Sequence, residues 1–297
     1  MRYENGLDQA EGLRRLLVNN QTRVVTVVSG KQGVGRTSMT INLAAALARS
    51  GKDVLVLDEN PAPHNLLDRL MLSARHDLLS VAQGKCALQQ AVLHAHGFSI
   101  LPAARAMSSL KQLRTSEQQR LEQALTEAVG EVDVMLVDAA SVLAHDATSS
   151  SLATGVSLLV VVDATVSGIT ESYALIKRMA LDNAKLRFEI VVNKVASEQE
   201  AMTVFENMSK VARLNLAARL EYFGHIPHDI KLSRAVQLGR AVVEAFPSSA
   251  SACAYMELAQ KFLQLPVIQD ESESRVPAMM KSLMRTLRGG EMAQVAG

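Results

Sequence analysis

Val24-Val25-Thr26-Val27-Val28-Ser29-Gly30-Lys31-Gln32-Gly33-Val34-Gly35-Arg36-Thr37-Ser38 is the stretch on which the fold turns. A short apolar run enters a glycine-rich turn, and residues 37–49 then carry apolar side chains at helical spacing. Strand, glycine turn and helix amino terminus, in that order, form the context of a phosphate-binding loop. Gly30, Gly33 and Gly35 permit backbone angles and a close approach that a Cβ would obstruct. Backbone N–H groups between Gly30 and Ser38, those of Gln32 and Val34 included, can then point inward at phosphate oxygens, assisted by the helix terminus. Lys31 and Arg36 add full positive charge, and the Thr37 hydroxyl is placed to ligate Mg²⁺.

Working outward, residues 54–57, 132–137, 158–162 and 188–192 are also nearly continuous apolar runs. Strands covered on both faces read this way, because neither side meets water. Residues 116–129, 168–181 and 198–215 have helical periodicity and lie between them. Alternation of this kind predicts βαβ units, hence an α/β fold with a mainly parallel sheet and helices on both faces. Shorter strands are expected at residues 99–101 and just before Pro227. The simplest organisation is one domain over residues 22–264, preceded by an element at 1–20 and followed by a tail at 265–297.

The composition excludes several classes. Apolar residues make up 48% and charged residues 21%, which predicts a packed core. The formal net charge of +1 argues against a whole-molecule attraction to nucleic acid. Trp is absent and aromatics are 3%, so a base-stacking platform is not expected. Cys86 and Cys253 are far apart and lack metal-ligand spacing, as do His64, His145, His225 and His228. No apolar run approaches the ~20 residues of a spanning helix, and no signal-peptide core is visible. A cytoplasmic setting is expected.

Three strand ends carry further candidates. The second strand runs into Asp58-Glu59-Asn60-Pro61, the 132–137 strand ends at Asp138, and the 188–192 strand ends at Asn193. A buried strand-end carboxylate such as Asp138 needs a partner, and a metal-bound water supplies one.

Together these motifs resemble the MinD/ParA class of ATPases, whose loop is usually written K-G-G-V-G-K-T. The resemblance covers residues 22–264 and implies a P-loop NTPase fold binding ATP or ADP with Mg²⁺. It implies that Lys31 reaches across a dimer interface to the partner's nucleotide. Arg36 stands where the class has its second lysine, and Gln32 where it has a glycine. Asp58 and Asp138 match the carboxylates near Mg²⁺. Asn60 stands where the class has an aspartate acting on the attacking water. Asparagine cannot take a proton, and general-base help is typically worth roughly 10²–10⁴-fold, so slow hydrolysis is expected. An aspartate at position 60 is expected to raise turnover if the position is catalytic. The class continues D-T-x-A-G where this chain has Asp138-Ala139-Ala140-Ser141. Asn193 matches an asparagine that contacts adenine, and Ile226-Pro227-His228-Asp229 resembles a segment lining the base pocket. No cysteine pair is present to ligate an iron–sulfur cluster, as an electron-carrying iron protein of the class would need.

The ends resemble the flagellar-number regulators of this class, the FlhG (FleN) group. Asp8-Gln9-Ala10-Glu11-Gly12-Leu13-Arg14 is similar to an element that, in that group, stimulates the GTPase FlhF. Leu7, Ala10, Leu13, Leu16 and Leu17 recur at helical spacing and could lie in a partner's groove. The tail from Val276 to Arg288 puts Met279, Met280, Leu283, Met284 and Leu287 on one helical face, with Lys281, Arg285 and Arg288 toward the other. At 1.5 Å per residue such a helix is about 20 Å long, too short to span a bilayer but suited to an anionic surface. The resemblance therefore implies an ATP-gated dimer on the inner face of the cell membrane, controlling flagellar number and placement. It would also meet flagellar switch components or a flagellar transcription regulator. Two other readings are a degenerate nucleotide-binding scaffold with little turnover, and a ParA-like DNA-partitioning ATPase, which would need a basic stripe.

Overall fold

A computed structural model describes residues 22–63, 65–140, 157–182, 187–216 and 218–265. In chain order the elements are β1 (Arg23–Val28), α1 (Arg36–Arg49), β2 (Val54–Asp58), α2 (Leu66–Arg69), α3 (Leu78–Ala82) and α4 (Leu88–Ala91). Then come β3 (Leu93–Ala95), β4 (Phe98–Pro102), α5 (Ala104–Ser108), a 3₁₀ turn (Leu110–Gln112), α6 (Thr115–Gly130), β5 (Val134–Asp138) and β6 (Ser157–Asp163). The rest are α7 (Val166–Asp182), β7 (Arg187–Val195), α8 (Glu198–Asn215), β8 (Arg219–Pro227), α9 (Ile230–Gln237), α10 (Val242–Ala245) and α11 (Ala250–Gln264).

The eight strands form one sheet in the order β3-β4-β2-β5-β1-β6-β7-β8. Every pairing is parallel except β3 with β4. The period-two alternation of side chains splits the core into layers. Val25, Val27, Val54 and Val56 point to one face and pack under α1, α10 and α11. Leu55, Leu57, Met135 and Val137 point to the other, under α3, α5 and α6. Val160, Val162, Ile190 and Val192 continue that second face under α7 and α8. The expected mainly parallel sheet with helices on both faces is the observed architecture.

Boundaries differ where hydrogen bonds override apolarity. Val132 reads as strand, yet its N–H donates to Val129 O and closes the turn after α6, so β5 starts at Val134. The β3–β4 hairpin is not legible in the sequence because β3 has three residues. Its turn is built on His96 at φ 55° and Gly97 at φ 78°, two positive angles that suit a two-residue hairpin. The helices between β2 and β4 have four or five residues each, too few to establish a period.

Candidate functional site

Parallel strands bring their carboxyl ends to one edge of a sheet, where ligands bind in open α/β folds. The register does this here. Asp138 is level with Val27 of β1 and with Asp58 of β2, while Asp163, Asn193 and Ile226 are level across β6, β7 and β8. The loop between β1 and α1 rises from the middle of this edge.

Gly30 is required by proximity. A Cβ there would overlap the backbone of Glu171 and Ser172 in α7. Gly33 (φ 79°) and Gly35 (φ 101°) take left-handed angles. Gly35 precedes the first turn of α1, and its carbonyl accepts from Met39 N–H at 2.8 Å. Lys31 Nζ donates to Ser167 Oγ at 2.6 Å, so the first loop lysine lies on the amino end of α7 of its own chain.

The carboxylates lie beside the loop. Thr37 Oγ1 donates to Asp138 Oδ2 at 2.8 Å, and Thr40 Oγ1 to Asp138 Oδ1 at 3.4 Å. Arg36 Nε donates to Asp138 Oδ1 at 2.9 Å, and its Nη2 to Asn60 Oδ1 at 2.5 Å. Asn60 Nδ2 donates to Asp58 Oδ1 at 3.1 Å, to Asp138 Oδ2 at 3.0 Å and to Asp138 O at 2.9 Å. Asp58 also accepts the N–H groups of Asn60 and Leu66, which ties the turn after β2 to the start of α2. Burial, with Asp138 adding repulsion, pushes the Asp58 carboxyl up to about 6 despite these bonds. Two buried carboxylates that share one Asn60 amide repel each other, and positive charge beside them relieves it.

Arg36 supplies that charge here, and Mg²⁺ would supply more. Among the described residues no cluster of three or more His, Cys, Asp or Glu side chains could hold a metal by itself. Asp58, Asp138 and Thr37 are hard oxygen donors, too few for a cage but matched to a Mg²⁺ ion that keeps waters and a phosphate oxygen. The residues present therefore fit a nucleotide-borne cation.

Opposite the carboxylates, Asn193 is buried and uses its amide on the protein. Its Nδ2 donates to Val34 O at 2.7 Å and its Oδ1 accepts Lys194 N–H at 2.9 Å. Lys194 Nζ donates to Gly33 O at 2.6 Å. Asp229 caps α9 by accepting Lys231 N–H, and its second oxygen accepts from Ser251 N–H and Oγ. Burial would raise this carboxyl, but the bonds from Ser251 and Lys231 outweigh it and hold the group below its usual range. Asp229 thus fixes the segment after Pro227.

Residues 30–38, Asp58, Asn60, Asp138, Asn193 and Pro227 all lie along this edge. Ser167, Thr40 and Lys194 also join it and were not read from the sequence. Lys194 had a signal, its position directly after Asn193. Ser167 and Thr40 had none, since a lone hydroxyl on a helix has many uses. The position following Ala140, the element around Gln9 and the basic tail from Val276 to Arg288 lie outside the described residues, as does His64.

Residues 25–242 match the family described as CobQ/CobB/MinD/ParA nucleotide binding domain. The chain is 37% identical over 246 residues to the antiactivator FleN of Pseudomonas aeruginosa, an alignment spanning 82% of this chain and 88% of that protein. It is 28% identical over 222 residues to the flagellum site-determining protein YlxH of Helicobacter pylori, spanning 73% of each. Among solved structures, the septum site-determining protein MinD of Pyrococcus horikoshii, complexed with Mg-ADP, superimposes with a TM-score of 0.64 at 23% identity. That match covers 82% of this chain and 96% of the other.

Proposed function

Because the chain belongs to the CobQ/CobB/MinD/ParA family of nucleotide-binding domains, we propose that it is a slow, ATP-gated dimer that regulates flagellar number and placement. The observation that carries the nucleotide part is the convergence of Lys31, Arg36, Thr37, Asp58 and Asp138 at one sheet edge, on a strand–loop–helix. The flagellar part rests on the likeness to FleN and YlxH. Loop N–H groups and Arg36 bind and orient the polyphosphate. Thr37, Asp58 and Asp138 would hold Mg²⁺, which would supply charge neutralisation at the phosphates. Asn60 can hydrogen-bond a water but cannot accept its proton, which makes turnover slow.

Lys31 is the dimer contact in this reading. Its bond to Ser167 is an exposed single contact that exchanges readily for a phosphate on a partner copy. The tail from Val276 to Arg288 then serves as a membrane element. Among the described residues no helix is long and apolar enough to cross a bilayer. Each basic residue near an anionic surface contributes about 1 kcal/mol, which is marginal for one short helix. Two helices on one dimer bind far better through avidity. With Mg-ATP, sedimentation should therefore show a dimer, and co-sedimentation with anionic liposomes should rise about tenfold or more. Lys31→Ala should abolish both responses while keeping calorimetric ATP binding. A Lys31→Ala chain that dimerises as well as the parent would sink the trans role, and silent calorimetry at millimolar ATP would sink the nucleotide reading.

The element at Asp8, Gln9, Ala10 and Leu13 supports a contact with an FlhF-like GTPase. Gln9 would orient the attacking water there, as glutamine does in other GTPases. A peptide of residues 1–20 should stimulate GTP hydrolysis by such a partner, and Gln9→Ala should lose stimulation while retaining most binding. Equal stimulation by a chain lacking residues 1–20 would refute this.

A further inference from the structure

Two consecutive carbonyls of the phosphate loop are held from outside by two consecutive residues of β7. Lys194 Nζ donates to Gly33 O at 2.6 Å, and Asn193 Nδ2 to Val34 O at 2.7 Å. A trans peptide is planar, with its C=O and the following N–H on opposite sides. Turning the carbonyls of Gly33 and Val34 toward β7 therefore turns the N–H groups of Val34 and Gly35 away from it. These are donors of the kind that cradle an anion when several successive N–H groups converge.

The backbone of Lys194 is bent to do this. Its φ is 61°, a left-handed angle that is strained for a residue with a Cβ. The pairing of β7 with β8 slips at the same place, between Asn193 and Val195. Strain of this kind persists where the surroundings over-determine it, and it clusters at ligand clamps. Here the surroundings are visible: the Lys194 N–H is held by Asn193 Oδ1 at 2.9 Å while its ammonium is held by the loop. Glycine would take the angle without steric strain, so the lysine side chain is what the strain retains. The Asn193 amide makes one bond to the protein through each heavy atom.

We propose that Lys194 is a positioning residue that, with Asn193, pre-orients the loop N–H groups for the polyphosphate of the bound nucleotide. The proposal rests on the nucleotide-binding reading. It assigns Lys194 to the loop carbonyl rather than to the base or ribose, and it makes Asn193 a loop clamp.

The test uses the full chain, with Mg-ATP, inorganic tripolyphosphate and adenosine as probes in calorimetry, and thermal melts of the unliganded protein alongside. Lys194→Met should weaken ATP and tripolyphosphate by a similar factor, about tenfold or more, and leave adenosine unchanged, because the loss of a charge-assisted hydrogen bond acts through the phosphates. Lys194→Arg should keep affinity within about threefold of the parent, since a guanidinium can also donate to a carbonyl. Lys194→Gly separates positioning from bulk stability. It lacks the same bond as Lys194→Met but relieves the strained angle, so it should melt about 2–4 °C above Lys194→Met while weakening ATP to the same degree. A higher melting temperature than Lys194→Met at equal loss of affinity is the signature of a clamp held under strain.

Unchanged ATP affinity in Lys194→Met overturns the proposal. So does a loss confined to ATP with tripolyphosphate intact, which would move Lys194 to the base or ribose. A Lys194→Gly chain that keeps the parent's ATP affinity overturns the proposal as well, since the side chain would then not aim the loop. A parent chain that binds neither ATP nor tripolyphosphate overturns the nucleotide reading and this assignment together, and so is distinct from the other failures.

Discussion

Alanine at Gly30 is expected to lower the unfolding free energy by about 3 kcal/mol or more and to eliminate nucleotide binding. The added Cβ would overlap main-chain atoms of Glu171 and Ser172. A flexible side chain could swing away from such a clash, but helix backbone cannot. Nor can α7 retreat as a unit, because Leu175, Ile176 and Met179 anchor it in the core over β6 and β7. The loop must then move, and the aim of its N–H groups is lost with it. Urea melts and ATP calorimetry measure the two effects. Gly130→Ala is the control. A Cβ there meets nothing within 4 Å, at the end of α6, so stability should change by less than about 1 kcal/mol. A Gly30→Ala chain that melts and binds like the parent would mean that α7 does not cross the loop this closely.

Aspartate at position 60 is expected to leave ATP turnover within about threefold of the parent, and to raise it about a hundredfold only when Arg36 is also changed to lysine. The sequence considered alone predicts a gain from the single change, by restoring a proton acceptor. The structure alters this expectation through two contacts. Arg36 Nη2 lies 2.5 Å from Asn60 Oδ1, so a carboxylate at 60 would form an ion pair with Arg36 and lose basicity. Asn60 Nδ2 meanwhile donates to oxygens of both Asp58 and Asp138. An aspartate has no such donor and would bring a third carboxylate against two that are buried. A lysine at position 36 would carry a single point charge, with no fork to bridge residues 60 and 138 while also facing phosphate. The departures at positions 36 and 60 are thus one coupled unit. The check is steady-state turnover for both single variants and the double variant, with unliganded melts. The single Asn60→Asp change should also lose about 1–3 kcal/mol of stability, since it removes a donor from buried acceptors. A hundredfold rise from Asn60→Asp alone would show that residue 60 faces the attacking water with Arg36 in place.

The sequence by itself determined the layered α/β architecture and the position of the loop. Strands buried on both faces must be continuously apolar, so β1, β2, β5, β6 and β7 are visible as runs of Val, Leu and Ile. A phosphate loop is a local object, built from fifteen consecutive residues counted from Val24 to Ser38. Asp58 and Asp138 at strand ends, and Asn193 at the end of the apolar run inside β7, were legible for the same reason, since a polar group closing an apolar run needs a purpose. Short elements such as β3 and α2 to α4 were not legible, because three to five residues do not complete a period.

Only the tertiary structure decided what those residues touch. Arg36 and Asn60 are 24 positions apart, and Lys194 is 161 positions from Gly33. No local pattern encodes such pairings. They follow from the register that sets Asp58 level with Asp138, and from a bulge that turns Lys194 toward the loop. The chemistry available at a position follows from its residue type and is readable in one dimension. Whether a charge is free, paired or clamped depends on which strand ends the sheet makes neighbours, and folding sets that in three dimensions.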